Sequence, residues 1–146
     1  MISGLKVKEL HVRLDALGYT IQLWESGGFP SAHLGTSVRR LHRGEVEAWV
    51  RRVSASERIV CLEGMIKLVL CDRRPDSPTR DRVEELFLGQ YRFREVVVPP
   101  GVLRGWKAVG EREALVLLTL EGETEEAELL GEEEAAVPYD WEIRMH

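Results

Sequence analysis

Two short stretches of this chain hold the side chains best suited to chemistry. The first is Arg39-Arg40-Leu41-His42. Histidine exchanges a proton near neutrality, and arginine is a permanent, forked cation that suits phosphates and carboxylates. In a regular strand, alternation puts Arg39 and His42 on opposite faces, so a bulge or irregularity would help both reach one site. The second stretch is Val97-Val98-Pro99-Pro100-Gly101-Val102-Leu103-Arg104-Gly105-Trp106. A strand must stop at Pro99, which cannot donate to a sheet ladder and restricts the residue before it. Gly101 lets the chain reverse, and a new strand can begin near Leu103. Arg104, closing this corner, could anchor a pyrophosphate or stabilise an oxyanion. Its permanent charge makes it a poor general acid.

Metal and redox chemistry are not expected. Of four histidines, His11 and His146 lie toward the ends and His33 sits in a Ser31-Ala32-His33-Leu34-Gly35 loop. His42 has no second histidine beside it, and Arg104 repels a cation. Cys61 precedes and Cys71 follows a hairpin signal at Glu63-Gly64. A two-residue turn there pairs Leu62 with Met65 and Cys61 with Ile66. Cys71 then lies ~17 Å along the strand from Cys61's partner, beyond the ~7 Å that a disulfide can bridge. Both cysteines are expected as buried thiols in a reducing compartment. No cofactor is implied.

The elements that must position these residues read as strands almost throughout. Apolar and polar residues alternate, or β-branched residues run together, over residues 6–14, 19–24, 37–42, 47–53, 58–62, 65–71, 83–88, 93–98, 105–109 and 114–120. Glycine and proline fall between them, and residues 73–78 (Arg-Arg-Pro-Asp-Ser-Pro) form a loop. Short strands at close spacing indicate a sandwich or barrel. The one helical candidate, residues 123–134, is weakened by Gly131 and by dense like charge. The pattern describes one all-β domain over residues 1–146, with an acidic C-terminal extension over residues 121–146.

Composition agrees with a single core. The 146 residues are 44% apolar, ordinary for a globular protein. No run approaches the roughly 18 apolar residues of a membrane span. Lys6, Lys8 and Glu9 stand where a signal peptide needs an apolar stretch, so a cytoplasmic protein is expected. The net charge of −5 hides an asymmetry: residues 121–146 carry −9 and residues 1–120 carry +4. Sixteen of the 20 basic residues are arginine, but they interleave with glutamate as on a solvated surface. No basic stripe interleaves with aromatics, so no nucleic-acid partner is expected. Asparagine is absent and glutamine occurs twice, a composition that suits a heat-adapted source.

Several weak motifs, in order and at approximate spacing, resemble the dTDP-4-dehydrorhamnose 3,5-epimerases, which are cupin-type jelly rolls. They are Asp15-Ala16-Leu17-Gly18-Tyr19, Arg39-Arg40-Leu41-His42, Leu62-Glu63-Gly64, residues 71–79, the Pro-Pro-Gly corner and the terminal PYDWEI. The resemblance implies a cupin-like double-stranded jelly-roll β-barrel. It implies proton abstraction beside the ketone of a nucleotide-linked 4-keto-6-deoxy sugar, without a metal. His42 would be the base; Arg39, Arg58, Arg104 and Trp106 are the candidate substrate contacts. A homodimer is expected on the same ground. The chain departs from the pattern elsewhere. The proton-donating tyrosine falls near Leu117 or Leu118, the acid that orients the base is lost among glutamates, and the corner's histidine is Arg104. Two functions of different class follow: an epimerase with His42 as base, or a catalytically degenerate cupin that binds a sugar nucleotide or other anion.

Overall fold

The computed structural model describes residues 1–142 as two five-stranded antiparallel sheets that face each other, with a two-stranded hairpin outside. The strands are β1 (Lys6–Glu9), β2 (His11–Asp15), β3 (Gly18–Gln22), β4 (His33–Leu41), β5 (Val46–Arg52) and β6 (Ser56–Glu63). They continue with β7 (Met65–Asp72), β8 (Val83–Gly89), β9 (Arg94–Val98), β10 (Val102–Ala108), β11 (Ala114–Glu121) and β12 (Ala127–Leu129). A single helical turn, α1 (Glu132–Ala135), follows. One sheet runs β1-β9-β6-β11-β4 and the other β12-β5-β10-β7-β8. This is the expected all-β jelly roll.

Period-two alternation explains how the sheets close. Ile59 and Cys61 of β6, Val96 and Val98 of β9, and Val116 and Leu118 of β11 point inward. They meet Ile66, Leu68 and Leu70 of β7 and Val102, Trp106 and Ala108 of β10. The outer faces are covered too. Leu10, Val12, Ile21 and Leu23 pack over Val60, Leu62, Leu117 and Phe93 on the first sheet. On the second, Trp141, Ala135, Val137 and Tyr139 pack over Trp49, Val69, Cys71 and Leu103.

Three local expectations change. Residues 6–14 form two strands, one pairing β9 and the other the outer hairpin. Residues 123–134 form β12, paired with β5, and only one helical turn. The Glu63-Gly64 turn is a corner between sheets and makes no hairpin. β6 pairs with β9 and β11, whereas β7 pairs with β8 and β10. Gly64 adopts φ +70°, and a Cβ there would lie 2.4 Å from the Glu113 carbonyl oxygen, so only glycine fits. Both cysteines are nonetheless buried free thiols, and burial pushes the Cys61 thiol up to about 12.

The loop after β7 is built on a buried carboxylate. Asp72 accepts from the Arg74 backbone N–H and Nε, from Ser77 Oγ and from Thr79 Oγ1. Burial alone would raise its pKa, but these donors outweigh burial and hold the carboxyl far below its ordinary range. Arg74 Nη2 in turn donates to the Ser3 carbonyl at 2.6 Å, fastening the N-terminus.

The C-terminal segment is therefore part of the fold. Trp141 stands 5.4 Å from Trp49, centroid to centroid, and both are buried. Trp141→Ala should lower the unfolding free energy by about 3 kcal/mol, read as a lower urea midpoint with an unchanged slope. An unchanged midpoint would show that the segment rests on the sheet without stabilising it.

Candidate functional site

Inside the jelly roll, charged side chains pair with one another where β4, β5, β6 and β10 meet. There Arg104 of β10 makes a two-pronged ion pair with Glu57 of β6. Its Nε donates to Oε1 at 2.8 Å and its Nη2 to Oε2 at 3.0 Å. Arg52 of β5 adds a third donor, Nε to Glu57 Oε2 at 3.0 Å. Burial alone would raise the Glu57 pKa, but Arg104 and Arg52 outweigh burial and hold its carboxyl below the ordinary value.

A second acidic link runs alongside. The Arg104 guanidinium stacks 3.9 Å from the centre of the Trp106 ring. Trp106 Nε1 donates to Glu47 Oε1 at 3.0 Å, and Arg39 Nη2 donates to Glu47 Oε2 at 2.6 Å. These two donors also bring the Glu47 pKa down against the opposing effect of burial.

A bulge in β5 makes the arrangement possible. Arg104 opposes Val50 and Trp106 opposes Glu47, so three steps on β5 match two on β10. The extra residue shifts the alternation. Glu47, Val50 and Arg52 consequently share the inner face, while Trp49 turns outward to Trp141. Glu47, Ala48, Val50, Arg52, Arg104 and Leu129 are among the residues lining a recess of about 610 Å³ at this end.

The sequence-derived candidates fall into three places. Arg104 and Trp106 lie inside the barrel, with Arg104 on the recess wall. Arg39 opposes Val116 on β4, which puts it on the inner face at the rim. His42 lies one residue past the end of β4, largely exposed, with Nδ1 2.7 Å from Glu113 Oε2. Leaving the strand there frees His42 from its alternation, and Arg39 and His42 line one smaller recess of about 370 Å³. Glu47 belongs to both recesses. Arg58 lies on the outer face of β6, its guanidinium 3.1 Å from both Glu95 and Glu121.

Sequence reasoning missed Glu47, Arg52, Glu57 and Glu113. Glu113, in the turn just before β11 and 71 residues away in sequence, brings its carboxylate 2.7 Å from His42 Nδ1. The visible signal for Glu57 was its parity, since it alternates with Ile59 and Cys61 along Ser56–Glu63. Among the described residues, no cluster of three or more His, Cys, Asp or Glu side chains could hold a metal ion.

Removing one member of a buried ion pair leaves the others uncompensated. Glu57→Gln should lower stability by about 3 kcal/mol at pH 7. The folded carboxyl titrates below its ordinary value of 4.5, so its contribution is complete above that pH and fades as pH falls through the folded value. The gap between wild type and Glu57→Gln in urea denaturation should therefore shrink from pH 7 to pH 3. An equal gap at both would refute the ion-pair account.

Comparisons with known proteins agree with this architecture. The sequence model of the dTDP-4-dehydrorhamnose 3,5-epimerases matches residues 1–145. A probable low-salt glycan biosynthesis epimerase of Haloferax volcanii is 24% identical over 120 residues, 80% of this chain and 76% of its own. A spore coat polysaccharide biosynthesis protein of Bacillus subtilis is 27% identical over 112 residues, covering 76% and 74%. The crystal structure of a dTDP sugar isomerase from Desulfovibrio desulfuricans superposes with a TM-score of 0.87 at 24% identity, covering 96% of this chain and 92% of that one. An epimerase from Bacillus anthracis with TDP and PPi bound gives 0.82 at 17%, covering 98% and 87%. At these identities the structural likeness establishes the fold.

Proposed function

The chain belongs to the dTDP-4-dehydrorhamnose 3,5-epimerase family, and from that premise we propose that it is an epimerase-like isomerase of a nucleotide-linked 4-keto-6-deoxy sugar. One geometric observation carries the reading. Glu47 borders both the recess lined by Arg39 and His42 and the recess lined by Arg52 and Arg104, which supports one continuous ligand site.

The chemistry follows from those groups. With Nδ1–H donated to Glu113, His42 keeps Nε2 free to take a proton from a carbon beside the ketone. The electron pair of the broken C–H bond moves into the carbonyl, and the arginines stabilise the enolate oxygen. No tyrosine lines either recess, so water returns the proton to the opposite face. Trp106 acts by holding Glu47 and stacking on Arg104. Arg58 is committed to Glu95 and Glu121 on the outside.

A second reading, ligand binding without turnover, is supported by one fact: the described residues that line the larger, Arg104-bearing recess include no histidine. Solvent deuterium incorporation into dTDP-4-keto-6-deoxyglucose separates the two. Exchange by the wild type should fall ~10²-fold or more in His42→Ala. Absence of wild-type exchange, or its persistence in the variant, would sink the epimerase reading. A thermal shift with the nucleotide sugar but no exchange would support binding alone.

We also propose that residues 1–146 form one domain and act as a homodimer in the cytoplasm. Leu14, Leu17 and Tyr19 of the outer hairpin are 77%, 100% and 55% exposed, an apolar surface that supports an interface there. Light scattering should return twice the 16.6 kDa chain mass; a single-chain mass would overturn the dimer.

A further inference from the structure

The C-terminal segment supplies part of the wall of the larger recess. Ala127, Leu129, Leu130 and Gly131 line it, and Trp49 and Leu130 exchange two backbone hydrogen bonds of 2.9 Å. Farther along, the segment is anchored by Trp141, whose seat is the β5 bulge itself. Arg104 opposes Val50 and Trp106 opposes Glu47, so Ala48 and Trp49 lie across from Gly105. Alternation turns Gly105 outward, between the inward-facing Arg104 and Trp106. A Cβ on Gly105 would stand 2.8 Å from Trp141 Cζ2 and 2.8 Å from Ala48 Cβ. The far edge of the indole thus fills the space that a side chain would take. The backbone of Trp141 is held as well, because Lys67 and Lys107 both donate to its carbonyl, at 3.3 and 3.2 Å. These lysines are direct neighbours on β7 and β10, a like-charge pair that the shared acceptor offsets.

We propose that Trp141 is a positioning residue for the candidate ligand site: seated over Gly105, it locks the β5 bulge and keeps Glu47 turned inward between Arg39 and Trp106. Without that wedge the bulge can slip into regular pairing, and a one-residue slip exchanges the two faces of a strand. Glu47 would then leave Trp106 Nε1, and the Trp49–Leu130 pairing that carries the recess wall would be lost. The inference rests on the reading that the recesses bordered by Glu47 form the ligand site, and it names what holds that site from outside the barrel.

The Glu47 carboxyl reports its own position without any ligand. An NMR titration of wild type should place it below the ordinary 4.5, because Arg39 and Trp106 donate to it. Trp141→Phe keeps an aromatic ring beside Trp49, but that ring ends short of Gly105. In this variant the Glu47 midpoint should rise toward 4.5. Should Trp141→Phe fail to fold, Lys67→Met, which lets go of the Trp141 carbonyl, decides by the same titration and the same direction. A wild-type midpoint at or above 4.5 would overturn the proposal. An unmoved midpoint in a folded variant with a lower urea midpoint would do the same, leaving Trp141 as packing alone. Deuterium exchange tests the link to the site. His42 lies off the segment, so Trp141→Phe should raise KM about fivefold and change kcat less than about twofold. A risen Glu47 midpoint with KM unchanged would leave the positioning intact and end the reading of this recess as the ligand site. Absence of wild-type exchange would end the epimerase reading, and the Glu47 titration would still decide this one.

Discussion

The buried ion pair between Arg104 and Glu57 is the constraint around which this barrel is arranged. It joins the two sheets through the interior, at a place where jelly-roll geometry would otherwise call for apolar contacts. Two charges removed from water are tolerable only when their hydrogen bonds are met and their geometry is good. Arg52 completes the Glu57 side, and the Trp106 ring covers the face of Arg104. Among the described residues Arg104 Nη1 has no hydrogen-bond partner, and Arg104 lines the larger recess. The interaction that closes the sandwich thus also defines the polarity of its opening.

That arrangement depends on local backbone features that bring distant residues together. The β5 bulge sets Glu47, Val50 and Arg52 on one face, so a single strand can serve both acidic links. The end of β4 releases His42 beside Glu113 while Arg39, still within the strand, faces inward. The C-terminal segment supports β5 from outside. β12 pairs with it, and Trp141 packs against the Trp49 that the bulge has turned outward.

Much of the fold was legible because strand formation here follows local alternation. Most strand positions, the Pro-Pro-Gly corner and the motifs near Asp72 and Arg39 could be read along the chain, but not the split of residues 6–14 or β12. Partnership between strands could not. Glu63-Gly64 signals a reversal equally well for a hairpin and for a corner between sheets, and only the pairing of β6 with β9 and β11 decides. The site was legible as far as its arginines and His42. Glu57 and Glu113 escaped because their partners lie 47 and 71 residues away. Glu47 escaped because the bulge breaks the parity from which its face would be read. In residues 121–142, dense glutamate masked Leu130 and Ala135, whereas Val137, Tyr139 and Trp141, legible as an ordered aromatic end, pack on the sheet beside them.

The proposed site has two parts, His42 beside Glu113 at the end of β4 and the larger recess lined by Arg52 and Arg104. The most direct measurement is a crystal structure with a dTDP-linked sugar bound. The account predicts the ligand between the two recesses, its keto sugar beside His42 and the Arg104–Glu57 contacts intact. A ligand bound elsewhere, or an Arg104 that leaves Glu57 to reach it, would contradict the account.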